Sequence, residues 1–378
     1  MRLLKGASVS RPWIVLSLFS SRLLQKCTEG LVSSSTRSPR SFGITNQARN
    51  LQRRKMASEL IDVDCNILHS DMKTLQKIET TNPWHILDED AVKNAHIVAM
   101  ISPSSTIEES ESGIELLKEN PPPLTIKTTV GVHPYHVNDE SLLLSVDGEK
   151  IPPEEQKKKI KNILLADVEE SANNLCAAVG ECGLDASEGF PPLEDQIPWF
   201  QMQIEIAEEL NLPLFIHERL AFDEAMGLLE KVDPSKTPVI IHCFTGTKEQ
   251  CIAYIERGYS ISISGYILKE SNDNCAEVVS CLEEGVIPLD KLMIETDAPY
   301  MGFAGCRKMY LESNQEFVAS LNSKKRKRLI QSIYPNVPSS LPMVLTKVTE
   351  CLQKKDSSLT KERVAEVTTA NARKFFGL

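Results

Sequence analysis

Short apolar runs rich in β-branched residues alternate with longer segments of helical periodicity from residue 58 onward. The clearest helical patterns are Asp195–Leu210 and Phe222–Val232. Since a parallel crossover needs a connection of about a dozen residues or more, the alternation predicts an α/β fold of the (β/α)8 TIM-barrel type, with an open doubly wound sheet as the alternative. The eight predicted strands are Leu60–Val63, His96–Ile101, Thr125–Val132, Ala177–Gly180, Leu214–Ile216, Val239–Ile241, Tyr259–Ser264 and Lys291–Ile294.

Polar residues with metal-binding side chains follow most of these strands. In a (β/α)8 barrel the chemistry lies at the carboxyl ends of the strands. Imidazole favours zinc or manganese, while carboxylate and water also suit magnesium. The pattern therefore predicts one site for divalent cations at this end of the barrel. The residues concerned are Asp64 and Asn66 after the first strand, His133 after the third, Glu181 after the fourth, His217 after the fifth, His242 after the sixth and Asp297 after the eighth.

Each of these residues also has a purely structural interpretation. Asp297 could cap a following helix, a common role for aspartate after a strand. Glu181 could be a buried carboxylate paired with an arginine, since an unpaired buried carboxylate is strongly unfavourable. His217 and His242 could each be a core histidine. The metal-site prediction rests on their joint occurrence at equivalent strand ends.

Charge is distributed unevenly along the 378 residues. Residues 1–55 contain eleven Lys/Arg and one acidic residue, so this segment carries +10 and, from a total of −10, the rest carries about −20. An Arg- and Ser-rich, acid-poor leader is typical of a mitochondrial or plastid transit peptide. We expect a disordered targeting leader over 1–55 and a barrel domain over 58–378. The alternatives are an untargeted disordered segment and a secretory signal around Trp13–Phe19.

The leader bears on localisation. If it is used, we expect a mitochondrial or other organellar protein, whereas a form that starts at Met56 would be cytoplasmic or nuclear. No run of about 18 uncharged apolar residues occurs, so we predict no transmembrane helix and no membrane partner. The ten cysteines include no C-x-x-C pair, which argues against a zinc ribbon and a secreted disulfide framework. Nothing in the sequence indicates an oligomer.

Two basic runs stand out in the acidic body. An acidic protein binds nucleic acid poorly without local positive charge or bound cations. The run Ser323–Arg328 is either a nuclear localisation signal, a phosphate-contacting patch or a solvated helix face, and we favour phosphate contact. The run Lys157–Lys161 lies in an apparent insertion over Asn138–Ser171 and predicts an exposed helix face.

Five sequence blocks together resemble the TatD family of metal-dependent deoxyribonucleases. They are GVHP, VGECGLD, LNLPLFIHER, IIHCFTGTKE and KLMIETDAPY, and the resemblance runs from about Leu60 to the C-terminal NARKFFGL. It implies a TIM-barrel metallohydrolase that cleaves DNA phosphodiesters, often as a 3′→5′ exonuclease, with one or two divalent cations (Mg, Mn or Zn). It further implies metal ligands at Glu181, His217, His242 and Asp297, a position near the scissile phosphate for His133, and a phosphate contact for Arg219.

The chain departs from the family pattern at two places. The first strand reads DVDCN, with Asp64 and Asn66 where many related barrels have H-x-H, so we count both as weaker candidate ligands. His69 is off this motif and is interpreted as a loop residue. In YPNVPSSLP, Val337 stands where the family often has the glutamate of N-E-P, which puts a late-loop contact in doubt.

The resemblance leads to a mechanistic hypothesis for an ester-bond hydrolase. Cations held by the ligand set would lower the pKa of a bound water and polarise a phosphoryl oxygen. Asp297 would orient this water or take its proton, His133 would donate to the phosphate or the leaving oxygen, and Glu181 would bridge the cations. The alternatives are a barrel hydrolase that acts on a small ester, amide or phosphate, and a catalytically weak relative that binds DNA.

Overall fold

The computed structural model describes residues 58–68, 72, 82–170, 174–269 and 273–378 of the chain. The predicted leader over 1–55, the alternative start at Met56 and the loop residue His69 lie outside the described residues.

Eight parallel strands form one sheet in which each strand pairs with its neighbours in sequence. The sheet closes between its first and last strands, where Val63 N donates to Ile294 O at 3.3 Å and Cys65 forms a parallel bridge with Ala298. This sequential order confirms the predicted TIM barrel and excludes the doubly wound sheet. The strands are β1 Leu60–Asp62, β2 Ile97–Ser102, β3 Thr125–Val130, β4 Cys176–Asp185, β5 Leu214–Arg219, β6 Val239–Ile241, β7 Ser260–Ile263 and β8 Leu292–Ile294.

Helices connect the strands and continue beyond the last one. Helix α5 fulfils the clearest helical prediction and begins two residues before it. The helices are α1 Asp90–Asn94, α2 Ile107–Glu119, α3 Glu140–Leu143, α4 Pro153–Glu170, α5 Leu193–Leu210, α6 Phe222–Leu229, α7 Lys248–Glu256, α8 Asp273–Glu283, α9 Lys308–Ser313, α10 Gln315–Ser320, α11 Ser323–Gln331, α12 Leu341–Lys355 and α13 Lys361–Phe376.

β4 and β5 extend further toward the carboxyl end than their apolar runs predict. β4 continues from Gly180 to Asp185 because Gly183, Leu184 and Asp185 pair with the last three residues of β5. A Cβ at position 183 would collide with the carbonyl oxygen of His217, so the glycine allows the two backbones to approach closely. The extension places Glu181 and His217 on neighbouring strands inside the barrel mouth.

An aromatic floor lies below this mouth. Phe215 is fully buried in the centre of β5, and its ring stacks on the imidazole of His242 with the centroids 4.9 Å apart and the planes 22° apart. The ring of Phe376, at the end of α13, also lies against the Phe215 ring, with the two centroids 6.2 Å apart. Side chains of alternate residues of a strand lie on the same face, so Phe215 and His217 both point into the barrel, the first into its core and the second toward its mouth.

The loop after β6 is fixed at the start of α7 by a capping box. Gln250 N donates to Thr247 Oγ1 at 3.3 Å, and Thr247 N donates to Gln250 Oε1 at 2.9 Å. Such reciprocal bonds satisfy two amides that a helix N-terminus otherwise leaves unpaired. The short segment that follows His242 is therefore held at its carboxyl end. In the described part of the chain, no helix is both long and apolar enough to cross a bilayer.

A candidate metal centre at the carboxyl end of the barrel

Two groups of imidazoles and carboxylates lie at the barrel mouth. We call Asp64, His242 and Glu295 the inner group, because all three are buried, and His133, Glu181 and His217 the outer group. Within each group, every residue offers one ligand atom, and these atoms all lie within 4.8 Å of one another. The six residues lie within or just after the carboxyl halves of six strands, and all of them except Glu295 are candidates predicted from the sequence.

The inner group surrounds the Nδ1 atom of His242. Asp64 Oδ2 lies 2.9 Å from this nitrogen and Glu295 Oε1 lies 3.8 Å from it. The side chains of Asp64 and Glu295 are fully buried and that of His242 is 3% exposed. Ser262 donates to the other carboxylate oxygen of Glu295 at 2.6 Å and so fixes its orientation.

The outer group converges on one carboxylate oxygen. Glu181 Oε1 lies 3.4 Å from His133 Nε2 and 3.2 Å from His217 Nδ1. It also lies 2.9 Å from His242 Nε2, which joins the outer group to the inner one. Glu181 is thus the carboxylate that faces three imidazoles, and in the described structure it has no arginine partner. The alternative of a structural Glu–Arg pair does not apply.

Burial and charge shift the pKa values of these groups in opposite directions. Burial alone would raise the pKa of Glu181, but the charges of His242 and His133 and the hydrogen bonds from His217 and His242 lower it well below its usual value. Burial would lower the pKa of His242, yet Glu181 and Asp64 raise it well above its usual value. The carboxylates that draw a proton onto His242 would equally attract a divalent cation, which binds the neutral imidazole.

The two carboxyl groups of the inner group, those of Asp64 and Glu295, have raised pKa values because they are buried. Burial raises the pKa of Asp64 well above its usual value and that of Glu295 to about 7, partly offset in each case by His242. No lysine or arginine among the described residues forms an ion pair with either carboxylate. The site therefore has buried carboxyl groups without a cationic side chain, and a bound cation would favour their ionised form.

Unpartnered buried atoms test whether these residues suit a cation. Asp64 Oδ2, His242 Nδ1 and Glu295 Oε1 are buried without a hydrogen-bond partner in the described structure, because the 2.9 Å approach of the first two is not aligned as a hydrogen bond. An unsatisfied buried polar atom costs about 1–3 kcal/mol. Three such atoms that face one another are the arrangement that a divalent cation satisfies, and imidazole with carboxylate is a donor set for zinc, manganese or magnesium.

Asp297 lies next to these groups but belongs to neither. Its backbone has a φ of +50°, and its N–H donates to Asp64 O at 2.8 Å. Burial raises the pKa of its carboxyl to about 6; the imidazolium of His242 opposes this rise and the charge of Glu181 adds to it. The next helix of the main fold, α9, begins only at Lys308, so Asp297 does not cap a helix.

The late loop supports the turn at Asp297. Asn336 Nδ2 donates to Thr296 O at 2.9 Å, and Asn336 N donates to Pro299 O at 2.7 Å. Val337 is buried, so the position where the family often has glutamate is filled here by an apolar side chain. This loop therefore makes structural contacts behind the site.

The two weaker candidates occupy different positions. Asn66 Nδ2 donates to Asp64 Oδ1 at 3.4 Å, which leaves Asp64 Oδ2 directed at His242, so Asn66 orients a member of the inner group. Arg219 ends β5 two residues after His217, with an exposed side chain. Among the described residues this guanidinium has no hydrogen bond or ion pair, and Arg219 is available to a substrate phosphate.

Sequence reasoning missed two carboxylates of the site. Glu295 follows Met293 of β8 by two positions, so strand alternation could have placed it on the same face as this buried residue. Asp185 ends the VGECGLD block, four positions after Glu181. Its Oδ2 lies 2.8 Å from His217 Nε2, and its Oδ1 accepts a bond from Ser187 N at 2.7 Å. Asp185 thereby accepts a hydrogen bond from Nε2–H of His217 and leaves Nδ1 of this ring for the site.

Replacing Asp185 with alanine is expected to weaken Mn²⁺ binding by about 10–100-fold, because the His217 ring loses the partner that fixes its tautomer. Asp185→Asn keeps an acceptor oxygen and should weaken binding less. Glu218→Gln is the matched control, since Glu218 lies beside His217 on β5 but accepts from Tyr254 Oη at 2.9 Å, away from the site. Calorimetric titration of Mn²⁺ measures all three. Equal affinities for wild type and Asp185→Ala would contradict this positioning role.

A parallel eight-stranded barrel with imidazoles and carboxylates at its carboxyl mouth defines a class of hydrolases that use divalent cations. A family model described as TatD related DNase matches residues 61–377. The chain belongs to this family of nucleases, which confirms the resemblance carried by the five sequence blocks. It is therefore a hydrolase of phosphodiester bonds.

Individual relatives agree with the family. The 3′-5′ ssDNA/RNA exonuclease TatD of Salmonella typhimurium is 34% identical over 207 residues, which cover 55% of this chain and 70% of that protein. The protein of the same name from Erwinia billingiae is 31% identical over 228 residues, which cover 59% of this chain and 78% of that protein. A solved structure of a TatD homologue from Escherichia coli covers 85% of this chain and all of its own, with a TM-score of 0.61 and 20% identity, and shows the same fold.

Proposed function

We propose that the chain is a metal-dependent exonuclease that removes nucleotides from the 3′ end of single-stranded DNA, with Glu181, His217, His242 and Asp297 as metal ligands. The observation that carries this proposal is the convergence of three imidazoles on Glu181 Oε1, beside three buried donor atoms without partners. Asp64 and Glu295 complete the ligand set. The 3′→5′ polarity and the single-stranded substrate rest on the named relatives, which are 3′-5′ ssDNA/RNA exonucleases.

A divalent cation bound at this centre supplies a water of lowered pKa and a positive charge beside the phosphoryl oxygen. Asp297 serves as the base that takes the proton of the attacking water. Burial raises the pKa of its carboxyl to about 6, and a bound cation would favour the ionised form, which is the form that accepts a proton. Its backbone bond to Asp64 O holds it beside the inner group.

His133 serves as a neutral donor to the phosphate or the leaving oxygen. Burial lowers its pKa to about 3, partly offset by Glu181, so the imidazole is neutral at physiological pH. Its Nδ1 accepts a bond from Tyr135 N at 3.2 Å, which leaves the proton on Nε2, the nitrogen that faces Glu181. Arg219, at the end of β5, binds a phosphate of the strand with its exposed guanidinium.

Hydrolysis of end-labelled strands tests this proposal. The full chain is incubated with 3′- or 5′-labelled single- and double-stranded DNA, single-stranded RNA and a phosphomonoester, across Mg²⁺, Mn²⁺ and Zn²⁺, with EDTA as control. The proposal predicts metal-dependent shortening of the single strand from its 3′ end. Hydrolysis of the monoester alone would instead favour the small-ester alternative, and binding without hydrolysis under every metal would favour the catalytically weak relative.

The basic helix α11 provides the local positive charge that an acidic protein needs to hold a strand. Lys324, Lys325, Lys327 and Arg328 are exposed and have no ion pair in the described structure. Arg326 differs, because its guanidinium donates to Ala319 O at 2.8 Å and to two other carbonyls and thus holds the end of α10. The loop after α11 leads to Asn336, which bonds the backbone beside Asp297.

Replacing these four free cations with alanine while retaining Arg326 is expected to weaken single-strand binding, with the salt slope reduced by about 0.7 for each phosphate that the variant no longer neutralises. The matched control replaces the four lysines of the run Lys157–Lys161. This run lies on α4, and Lys157 Nζ lies 2.8 Å from Glu205 Oε2, so its charge is already compensated by acidic neighbours. The readout is affinity against salt concentration. An unchanged affinity and slope for the α11 variant would remove this role.

The positive charge of residues 1–55 supports a targeting leader and, with it, a compartment for the protein. Residues 1–55, at +10, act as a targeting leader ahead of the barrel domain 58–378, and the form that starts at Met56 stays in the cytoplasm or nucleus. Fluorescent fusions of the full chain and of the Met56 form test this assignment. Identical distributions of the two fusions would contradict it.

A further inference from the structure

Two aromatic rings line one side of the barrel mouth, next to the outer group. Phe190, in the loop after β4, stacks on the imidazole of His217 with the centroids 6.2 Å apart and the planes 17° apart. Tyr135, two residues after His133, meets Phe190 edge-to-face at 5.3 Å. Tyr135 is 53% exposed although its side chain carries a large, mainly apolar ring. A continuous aromatic surface thus leads from His217 outward to solvent.

The backbone holds both rings in place without any ligand. Tyr135 lies in the 3-10 turn Pro134–His136, whose start is capped by the His133 side chain. The loop that carries Phe190 is clamped by Gln196, a fully buried side chain that accepts from Asp185 N and donates to Asp185 O, both at 2.8 Å. In the described structure the hydroxyl of Tyr135 has no hydrogen bond, and its ring makes edge-to-face contacts with Phe190 and His136.

We propose that Tyr135 and Phe190 form a platform on which an unpaired base of the substrate strand stacks, beside the phosphodiester that is cleaved. The inference deepens the proposed function and rests on it. Phe190 contacts the rings of both His133 and His217, so a strand whose phosphate reaches the outer group carries its neighbouring base past these rings. Aromatic rings bind any base through its π-face, without reading its sequence.

The platform also provides a physical reason for selecting single strands. A base that stacks on protein must first leave its own stack and, in a duplex, its partner strand. In a duplex this step costs a few kcal/mol, whereas a base in a single strand has no partner to leave. Exposed bases of RNA and of single-stranded DNA both offer the same π-face. The surface therefore selects for unpaired bases and tolerates either sugar.

The test combines a protein substitution with removal of the base. Single strands are prepared with an abasic nucleotide at the 3′ end or at one of the next few positions, and KM is measured for release of the first product. At the position that meets the platform, removal of the base should raise KM for wild type by about fivefold or more, the effect of abolishing one base–aromatic stack. Tyr135→Ala should show a smaller rise in KM for the missing base than wild type, because one of the two stacking rings is already absent.

Two control variants bracket this result. Tyr135→Phe keeps the ring and should retain the wild-type penalty for the abasic nucleotide. Val146→Ala removes an exposed apolar side chain from the loop between α3 and α4 and should retain it too. Phe190 is left unchanged, because its ring contacts His133 and His217 and its removal would disturb them.

The outcomes separate this inference from the proposed function. Hydrolysis of the strand with the same abasic penalties in wild type and Tyr135→Ala at every position would overturn the platform and leave the exonuclease proposal intact. A wild-type chain that hydrolyses no strand under any metal would overturn both. A penalty that falls in Tyr135→Ala but not in the control variants supports the platform and identifies which base it holds.

Discussion

Replacing Glu181 with glutamine is expected to lower kcat/KM for metal-dependent hydrolysis of single-stranded DNA by about 10³-fold or more, since positioned acid–base and metal-ligand groups contribute effects of this order. The substitution keeps the shape of the side chain but removes the charge that faces His133, His217 and His242. An amide in this position either turns its nitrogen toward the imidazoles or offers a weaker neutral oxygen. In both cases the two groups lose the carboxylate that joins them.

Glu188→Gln is the matched control for this prediction. Glu188 lies seven residues further along, in the exposed loop after β4, and undergoes the same chemical change away from the site. Hydrolysis should be close to that of wild type in this variant. If Glu181→Gln retained more than about a tenth of the wild-type kcat/KM, a loss of only ~1.4 kcal/mol, Glu181 would not be the central carboxylate of the site.

Replacing His242 with alanine is expected to remove both hydrolysis and tight metal binding. Its two nitrogens face carboxylates of different groups, Asp64 at 2.9 Å and Glu181 at 2.9 Å, so the substitution removes the imidazole that lies between the two groups. Loss of a direct ligand should weaken metal affinity beyond the 10–100-fold typical of an outer partner, so we expect a fall of about 100-fold or more. Metal content after dialysis and kcat/KM on single-stranded DNA are the two measurements.

Stability must be separated from function in this variant. The His242 ring stacks on Phe215, so alanine also leaves a gap above the aromatic floor. His242→Asn fills part of that gap and still lacks the imidazole, and both variants should therefore lose metal and activity alike. If His242→Ala were inactive while His242→Asn kept wild-type metal content and hydrolysis, the imidazole would have a packing role only.

The fold could be predicted from the sequence because its signal is periodic. Each buried parallel strand appears as a short β-branched run, and each crossover as a helical pattern such as Asp195–Leu210. The ends of β4 and β5 were missed for a physical reason: GECGLD and HER are polar or glycine-rich, and only the pairing of Gly183 and Asp185 with β5 extends the sheet there. Asp185 lies in the same extension, beyond the predicted end of this strand at Gly180.

The site could be predicted where candidate ligands lie at the ends of successive strands. It could be predicted less well where the backbone turns sharply. The structure brings Glu181, His217 and His242 together as expected, and it places the weaker candidate Asp64 against His242. Asp297 has a positive φ, so its side chain does not continue the alternation of β8, and Glu295 lies in the inner group instead. The assignment of these residues as ligands stays a prediction until metal is measured.

The stacking platform had no sequence signal. Tyr135 and Phe190 lie 55 positions apart on loops after different strands, and neither belongs to a periodic pattern. Only the closed barrel brings these two loops to the same side of the mouth. Surface features assembled from separate loops generally need the three-dimensional structure to be recognised.

Anomalous diffraction at the manganese edge from crystals soaked in Mn²⁺ tests the metal centre most directly. The manganese concentration is one that supports hydrolysis of single-stranded DNA by the same preparation. We predict one or two anomalous peaks among the donor atoms of the inner group, the outer group or both, and none there in Glu181→Gln crystals treated alike. An active wild-type preparation with no peak in either group would contradict the account.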